Sequence, residues 1–204
     1  SFLQGDADVT PLREGQAVPA DPEKGYGWEK LFAEQLATYY HEEFGLDIRI
    51  VRFHNIYGSL GTYDGGREKA PAAICRKVAE AEDGASLEVW GDGDQTRSFC
   101  HIDDCVEGLV RIMDSGYVMP LNLGTDEMVT VNKLAETIME IAGKKLKINH
   151  ISGPLGVRGR NSNNNLICEK LGWKPTKPLQ NGLEKTHMRI KEQVEVHRLE
   201  ATVN

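Results

Sequence analysis

The sequence predicts an α/β fold, and two observations carry that prediction. Short β-branched runs alternate with stretches whose apolar residues recur at helical spacing. Clusters of glycine, proline and acidic residues punctuate them, and no internal repeat or low-complexity tract interrupts the pattern. At 204 residues the chain is long enough for one large domain or part of a bigger one.

Residues 1–20 are polar, carry Gly5, Pro11, Gly15 and Pro19, and read as loop. Asp21 is placed to N-cap a helix with Pro22 at its first position. Gly25 and Gly27 weaken the first turn, which moves the expected regular start toward Trp28. Leu31, Phe32, Leu36, Tyr39, Tyr40 and Phe44 then follow a helical period, and Gly45 stops it. Asp47 to Phe53 is a short β-branched run, read as a strand. It ends in His54-Asn55-Ile56-Tyr57-Gly58, and open α/β sheets bind ligands beyond the carboxyl ends of their strands. The glycine-rich segment from Gly58 to Lys69 has the length of a functional or a disordered loop.

Further on, Pro71 to about Ala81 reads as a helix and Ser86 to Trp90 as a strand, followed by the turn Gly91-Asp92-Gly93-Asp94. Arg97 to Ile102 reads as another strand. Asp103 is expected to cap a helix with Val106, Leu109, Val110 and Met113 on its apolar face. Pro120 to Leu123 is a short strand ending in Gly124. Thr130 N-caps a helix closed by Gly143, Leu146 to Ile151 is a strand, and Asn164 to Leu171 and Leu179 to about Arg198 are helices.

Composition narrows the function classes. The net charge is −7, with apolar residues at 40% and charged residues at 27%, as expected of a globular chain. The cations form no single block, which argues against non-specific nucleic-acid binding. No apolar run approaches the roughly 18 residues of a membrane helix. Residues 1–6 show neither the basic nor the apolar region of a signal peptide. Cysteines 75, 100, 105 and 168 make no C-x-x-C, so we expect no metal site and four reduced thiols in a cytoplasmic protein.

Four segments carry candidate chemistry. Tyr26-Gly27-Trp28-Glu29-Lys30 puts a phenol and an ammonium one helical turn apart on one face. An ammonium beside a phenol favours the phenolate, which suits the tyrosine to take a proton from a sugar hydroxyl while a nicotinamide takes the hydride. Lys69 ends the glycine-rich loop and opens a helix, as a proton donor or as one charge of a solvated loop. Arg97 follows the tight turn as a fork suited to phosphate, or as a surface arginine. Gly156 to Asn165 concentrates Arg158 and Arg160 among asparagines, as a pyrophosphate or nucleoside loop or as polar surface. No G-x-G-x-x-G and no Walker A sequence is present.

The order of these segments resembles that of an extended short-chain dehydrogenase/reductase. Y-x-x-x-K at Tyr26 to Lys30 is followed by R-x-x-N-x-Y-G at Arg52 to Gly58 and by G-D-G-x-x-x-R-x-F at Gly91 to Phe99. The acidic helix start Asp103-Asp104 and N-x-G at Asn122 to Gly124 complete the series. The stretches from Gly61 to Ala73 and from Gly156 to Asn164 are similar to those of the branch of that family that epimerises GDP-mannose at C3 and C5. This resemblance implies the C-terminal part of a Rossmann-like fold with its smaller substrate-binding domain. The chain 1–204 would be a fragment of one such unit lacking the first Rossmann half, with substrate-domain segments at roughly 58–98 and 125–204.

The same resemblance implies NAD as cofactor, a GDP-sugar substrate and a homodimer. Tyr26 would be the base, Lys30 would tune it and hold the nicotinamide ribose, and Lys69 would be one of two acid/base groups acting on the ring carbons. The family's partner to that lysine is a cysteine upstream of Tyr/Lys, a role none of the cysteines here matches. Asn55, Glu68, Lys69, Ala70, Lys77, Gln95, Thr96, Arg97 and Arg160 fall on substrate-binding positions, with Lys77, Arg97 and Arg160 suited to the GDP phosphates. Another sugar-nucleotide 4-epimerase, dehydratase or decarboxylase, or an inactive nucleotide-sugar-binding fragment, are the alternatives.

Overall fold

The computed structural model describes residues 12–17, 24–153 and 158–203. A 3-10 turn spans Glu14–Ala17. Helix α1 (Lys24–Phe44) leads to strands β1 (Val51–Phe53) and β2 (Ile56–Tyr57). Next come α2 (Ala70–Glu80), β3 (Ser86–Trp90), β4 (Thr96–Ser98), β5 (Cys100–His101) and α3 (Ile102–Asp114). The chain continues through β6 (Leu121–Leu123), β7 (Met128–Thr130), α4 (Val131–Ala142) and β8 (Lys147–Ile151). It ends in β9 (Gly159–Arg160), α5 (Asn165–Leu171) and α6 (Leu179–Val203). The expected cap Asp21-Pro22 and the residues Gly156-Val157 lie outside the described residues. Two compact units divide the chain: Ser1–Ile56, Ser98–Glu127 and Gly159–Thr176 form the first, and Tyr57–Arg97, Met128–Arg158 and Lys177–Asn204 the second.

In the first unit β1 and β6 pair in parallel, with Val51 opposite Leu121, Arg52 opposite Asn122 and Phe53 opposite Leu123. Both strands feed a core of Cys100, Cys105, Ile112, Leu121, Leu123, Ile167 and Trp173. Gly108 of α3 sits where a Cβ would come within 2.6 Å of Leu123 Cδ1 and 3.0 Å of the Trp173 ring, so only glycine admits the helix this close.

Several expectations are corrected here. Helix α1 begins by Lys24, not near Trp28. Glycine weakens a helix by about 1 kcal/mol without forbidding it, and Gly27 is buried. The strand expected over Asp47–Phe53 shrinks to three residues, which among the described residues pair with Leu121–Leu123. The Arg97–Ile102 run splits into β4 and β5 and hands Ile102 to α3. His101, not Asp103, caps α3: its Nδ1 accepts from the Asp103 backbone N–H at 3.2 Å. Asp103 stands in the first turn, where its charge favours the helix dipole.

The apolar face assigned to α3 is also reversed. Cys105, Gly108 and Ile112 point inward, while Val106, Val110 and Met113 are exposed and Leu109 is half-buried. A buried carboxylate sets this rotation: Asp104 accepts from the Thr176 hydroxyl at 2.8 Å and from its N–H at 3.0 Å. Along α1, Phe32, Leu36, Tyr39, Tyr40 and Phe44 are likewise exposed.

In the second unit β3 and β8 pair in parallel from Ser86 opposite Lys147 to Trp90 opposite Ile151. The alternation of β3 buries Leu87 and Val89. Helix α2 packs against α4 and α6. Its last turn leaves carbonyls that no helical N–H can reach. Lys144 Nζ donates to three of them, at Val78 (2.8 Å), Ala79 (3.0 Å) and Ala81 (2.6 Å), and Arg198 donates to the Glu80 carbonyl. Helix α4 carries both expected caps, with the Thr130 hydroxyl accepting from Lys133 N–H and Gly143 left-handed at φ +65°. Helix α6 runs on past Arg198 to Val203. Among the described residues, no helix is long and apolar enough to cross a membrane.

Two measurements test this packing. Gly108→Ala gains about 1 kcal/mol of helix propensity but must displace two fully buried side chains, so a net loss of about 1–2 kcal/mol in unfolding free energy is expected on denaturant titration. His187 of α6 is 5% exposed. Burial lowers its pKa from 6.5, Lys144 and Lys191 add to the shift, and a hydrogen bond to the Cys75 backbone opposes it. The stability that neutral His187 contributes is therefore complete above its unfolded pKa of about 6.5 and is lost as the pH falls below it. Unfolding measured from pH 8 to pH 5 should show an acid-side slope of up to about 1.4 kcal/mol per unit that His187→Gln flattens.

Candidate functional site

In the first unit, α1 presents Tyr26, Lys30 and Glu34 at successive turns of one face. Tyr26 and Lys30 are exposed, and the Lys30 ammonium stands 5.3 Å from the centroid of the Tyr26 ring, a cation–π contact. Lys30 also pairs with Glu29 at 3.3 Å. Both residues line an open pocket of about 520 Å³, together with Glu34, Arg52, His54 and Asn122.

The wall of that pocket is a polar network the sequence reading missed. Arg52 on β1 grips Glu34 with both ends of its fork, Nε to Oε1 at 2.9 Å and Nη2 to Oε2 at 2.7 Å. Its Nη1 donates to the Glu14 carbonyl at 2.9 Å. The Glu14 carboxylate accepts the Asn122 N–H at 3.0 Å, and the Asn122 amide donates to the Leu12 carbonyl at 3.0 Å. His54 Nε2 lies 3.2 Å from Asn122 Oδ1. The face that carries Tyr26 and Lys30 is thus tied to β1, to the 3-10 turn and to β6. Glu34, four residues beyond Lys30, was the signal available in the sequence.

Asn55 holds a left-handed backbone at φ +48°, a conformation asparagine tolerates better than most residues. Its amide donates to the Ser98 carbonyl at 2.9 Å, and its own carbonyl accepts from Cys100 N–H. Arg160 lies in β9 of this unit.

The remaining expected positions belong to the second unit. Lys69 is the N-cap of α2, exposed and extended at φ −84°, ψ 159°, and Ala70 is the first helical residue. Glu68, just before it, pairs with Arg76 at 3.3 Å. Lys77 donates to the Glu88 carbonyl at 3.0 Å. The Gln95 amide donates to the Trp90 carbonyl at 3.1 Å, Thr96 N–H to the Arg158 carbonyl at 2.9 Å, and Arg97 Nη1 to the Thr96 carbonyl at 2.7 Å.

All four cysteines are free thiols. Burial pushes Cys75 up to about 12, and burial with the neighbouring Cys105 and Asp104 does the same to Cys100. Neither is poised as a thiolate. Among the described residues, no group of three or more His, Cys, Asp or Glu side chains could hold a metal ion.

The Glu34–Arg52 pair is 12% exposed on each side chain, so removing one partner strands a poorly hydrated charge. Glu34→Ala and Arg52→Ala are each expected to lower unfolding free energy by about 3 kcal/mol, and the double variant by clearly less than the sum. Additive losses in that cycle would show that the two do not act together.

Comparison with known proteins supplies the context. Residues 4–124 match the NAD dependent epimerase/dehydratase family. The chain is 54% identical over 194 residues to GDP-mannose 3,5-epimerase of Arabidopsis thaliana, an alignment covering 95% of this chain and 51% of that protein. UDP-glucose 4-epimerase of Thermotoga maritima, solved with UDP-glucose, superposes with a TM-score of 0.81 at 27% identity, over 91% of this chain and 58% of that one. UDP-glucuronic acid 4-epimerase of Bacillus cereus, solved with UDP-glucuronic acid and NAD, gives 0.80 at 26% identity, over 95% of this chain and 60% of that one. The chain spans about half the length of the curated relative it matches. With its Tyr/Lys helix, its parallel β1–β6 pair and a family match over more than half its length, the chain belongs to the NAD dependent epimerase/dehydratase family.

Proposed function

We propose that this chain supplies the base, one carbon acid/base and the nucleotide-sugar contacts of a GDP-mannose 3,5-epimerase. The observation that carries the reading is the Lys30 ammonium set against the Tyr26 ring, on an exposed face that opens on the pocket. The choice of GDP-mannose draws on the 54% identity to the Arabidopsis enzyme. An exposed phenol and ammonium beside an open pocket fit a nicotinamide ribose and a sugar hydroxyl. NAD, when bound, takes the hydride of sugar C4 and later returns it.

The residues of the chain do the rest. Tyr26 removes the proton of the C4 hydroxyl, and Lys30, set against its ring, holds the ribose. The resulting 4-ketone acidifies the hydrogens at C3 and C5, because the carbanion is delocalised as an enolate. Lys69 exchanges a proton with those carbons on one face of the ring, and a second acid/base serves the opposite face. Lys77, Arg97 and Arg160 hold the diphosphate. Asn55, Glu68, Ala70, Gln95 and Thr96 orient the sugar and nucleotide. Return of the proton from Tyr26 restores the C4 hydroxyl, with no net redox change. The reading includes a homodimer in the cytoplasm.

In the full-length protein, Lys69→Ala should reduce solvent deuterium incorporation at C3 and C5 by about 10²- to 10⁴-fold while oxidation at C4 persists. Wild-type incorporation in that variant would remove Lys69 from the mechanism. Product analysis tests the reaction class: inversion at C3 and C5 supports this reading, and inversion at C4 or loss of water or CO₂ replaces it.

A further inference from the structure

We infer that Arg76 is the positioning residue for Lys69, a clamp that fixes the loop ending in that lysine onto α2. The inference rests on the function proposed for Lys69. The loop needs a clamp because Gly65 and Gly66 are both left-handed, at φ +80° each, and two adjacent glycines have much backbone freedom to lose.

Arg76, in the second turn of α2, engages all three of its guanidinium nitrogens. Nε donates to the Tyr63 carbonyl at 3.0 Å, where the loop starts its final stretch. Nη2 donates to Glu68 Oε1 at 3.3 Å, at the residue adjoining Lys69. Nη1 donates to Glu80 Oε2 at 2.9 Å and braces the fork against its own helix. Two of the three bonds therefore reach the loop, one on either side of the glycine pair. A lysine at this position would offer one compact charge and could not span the three acceptors.

Glu68 shows what the clamp leaves open. Bonds from its own N–H, with Gly66 N–H and Arg76 adding to them, hold its carboxyl below the ordinary range. Its other oxygen, Oε2, is buried and accepts no hydrogen bond among the described residues. A carboxylate tied in this way keeps one orientation. Holding Glu68 also holds Lys69, the next residue along the chain, at the extended N-cap geometry of α2.

The test uses the full-length protein with GDP-mannose in D₂O, comparing wild type with Arg76→Ala, Arg76→Lys and Glu80→Ala. Deuterium incorporation at C3 and C5 reports Lys69, and NADH absorbance reports oxidation at C4. Arg76→Ala should lose about 100-fold in incorporation, the scale of a displacement of about 1 Å in a reacting group, while C4 oxidation stays within about threefold. Arg76→Lys should fall between the two, and Glu80→Ala, which leaves both loop contacts in place, should match wild type. If Arg76→Ala fails to fold, Arg76→Lys carries the comparison. Loss of incorporation and oxidation to the same extent would mean that Arg76 only supports the fold, and unchanged incorporation would mean that Lys69 needs no clamp. A wild-type protein that exchanges no ring hydrogen would instead overturn the proposed function and this inference with it.

Discussion

A single guanidinium governs the first unit. Arg52 comes from a strand of three residues, grips a helix carboxylate with two nitrogens and holds a turn carbonyl with the third. Bidentate arginine–carboxylate geometry is directional, so it restricts how α1 can rotate or slide over β1. Tyr26 and Lys30 lie on the face that this pair restrains. The angle at which they meet the pocket thus depends on a contact one and two turns further along the helix.

The second unit uses cations for a related purpose. Lys144 and Arg198 bind carbonyls at the carboxyl end of α2, and Arg76 binds the Glu68 carboxylate and the Tyr63 carbonyl ahead of its start. The positive charge of Lys144 and Arg198 opposes the negative end of the helix dipole, and their N–H groups satisfy carbonyls the helix cannot. Helix α2 is held at both ends, which gives Lys69 and Ala70 a defined place to stand.

Much of the fold was legible in local chemistry. Ser86 to Trp90 alternates as a half-buried strand must, and α4 carries a threonine at one end and a glycine at the other. The Tyr26–Lys30 spacing and the Lys69-Ala-Pro71 helix start also stand in the sequence as they do in the structure. What was not legible depends on distant partners. The inward face of α3 is set by Asp104 and Thr176, which are 72 residues apart, so the Val106–Met113 stripe pointed the wrong way. The length of β1 is set by β6. Arg52 stands in the sequence as the first residue of R-x-x-N-x-Y-G and Arg76 as an ordinary charge, and neither setting reveals that Glu34, Tyr63 or Glu68 lies within reach.

The turn at Gly91–Asp94 shows how far such dependence extends. Gly93 is left-handed at φ +73°, and a Cβ there would stand 2.0 Å from Asn132 Oδ1. Asn132, at the start of α4, donates its backbone N–H to the Gly93 carbonyl at 3.0 Å and its amide to the Asp92 carbonyl at 3.0 Å. Its Oδ1 meets His150 Nε2 at 2.8 Å. A turn locked by a residue some forty positions downstream gains its lock only when that helix arrives. During refolding, the turn that delivers Gln95, Thr96 and Arg97 is therefore a late event, and its locking has to wait for a long excursion of chain to return.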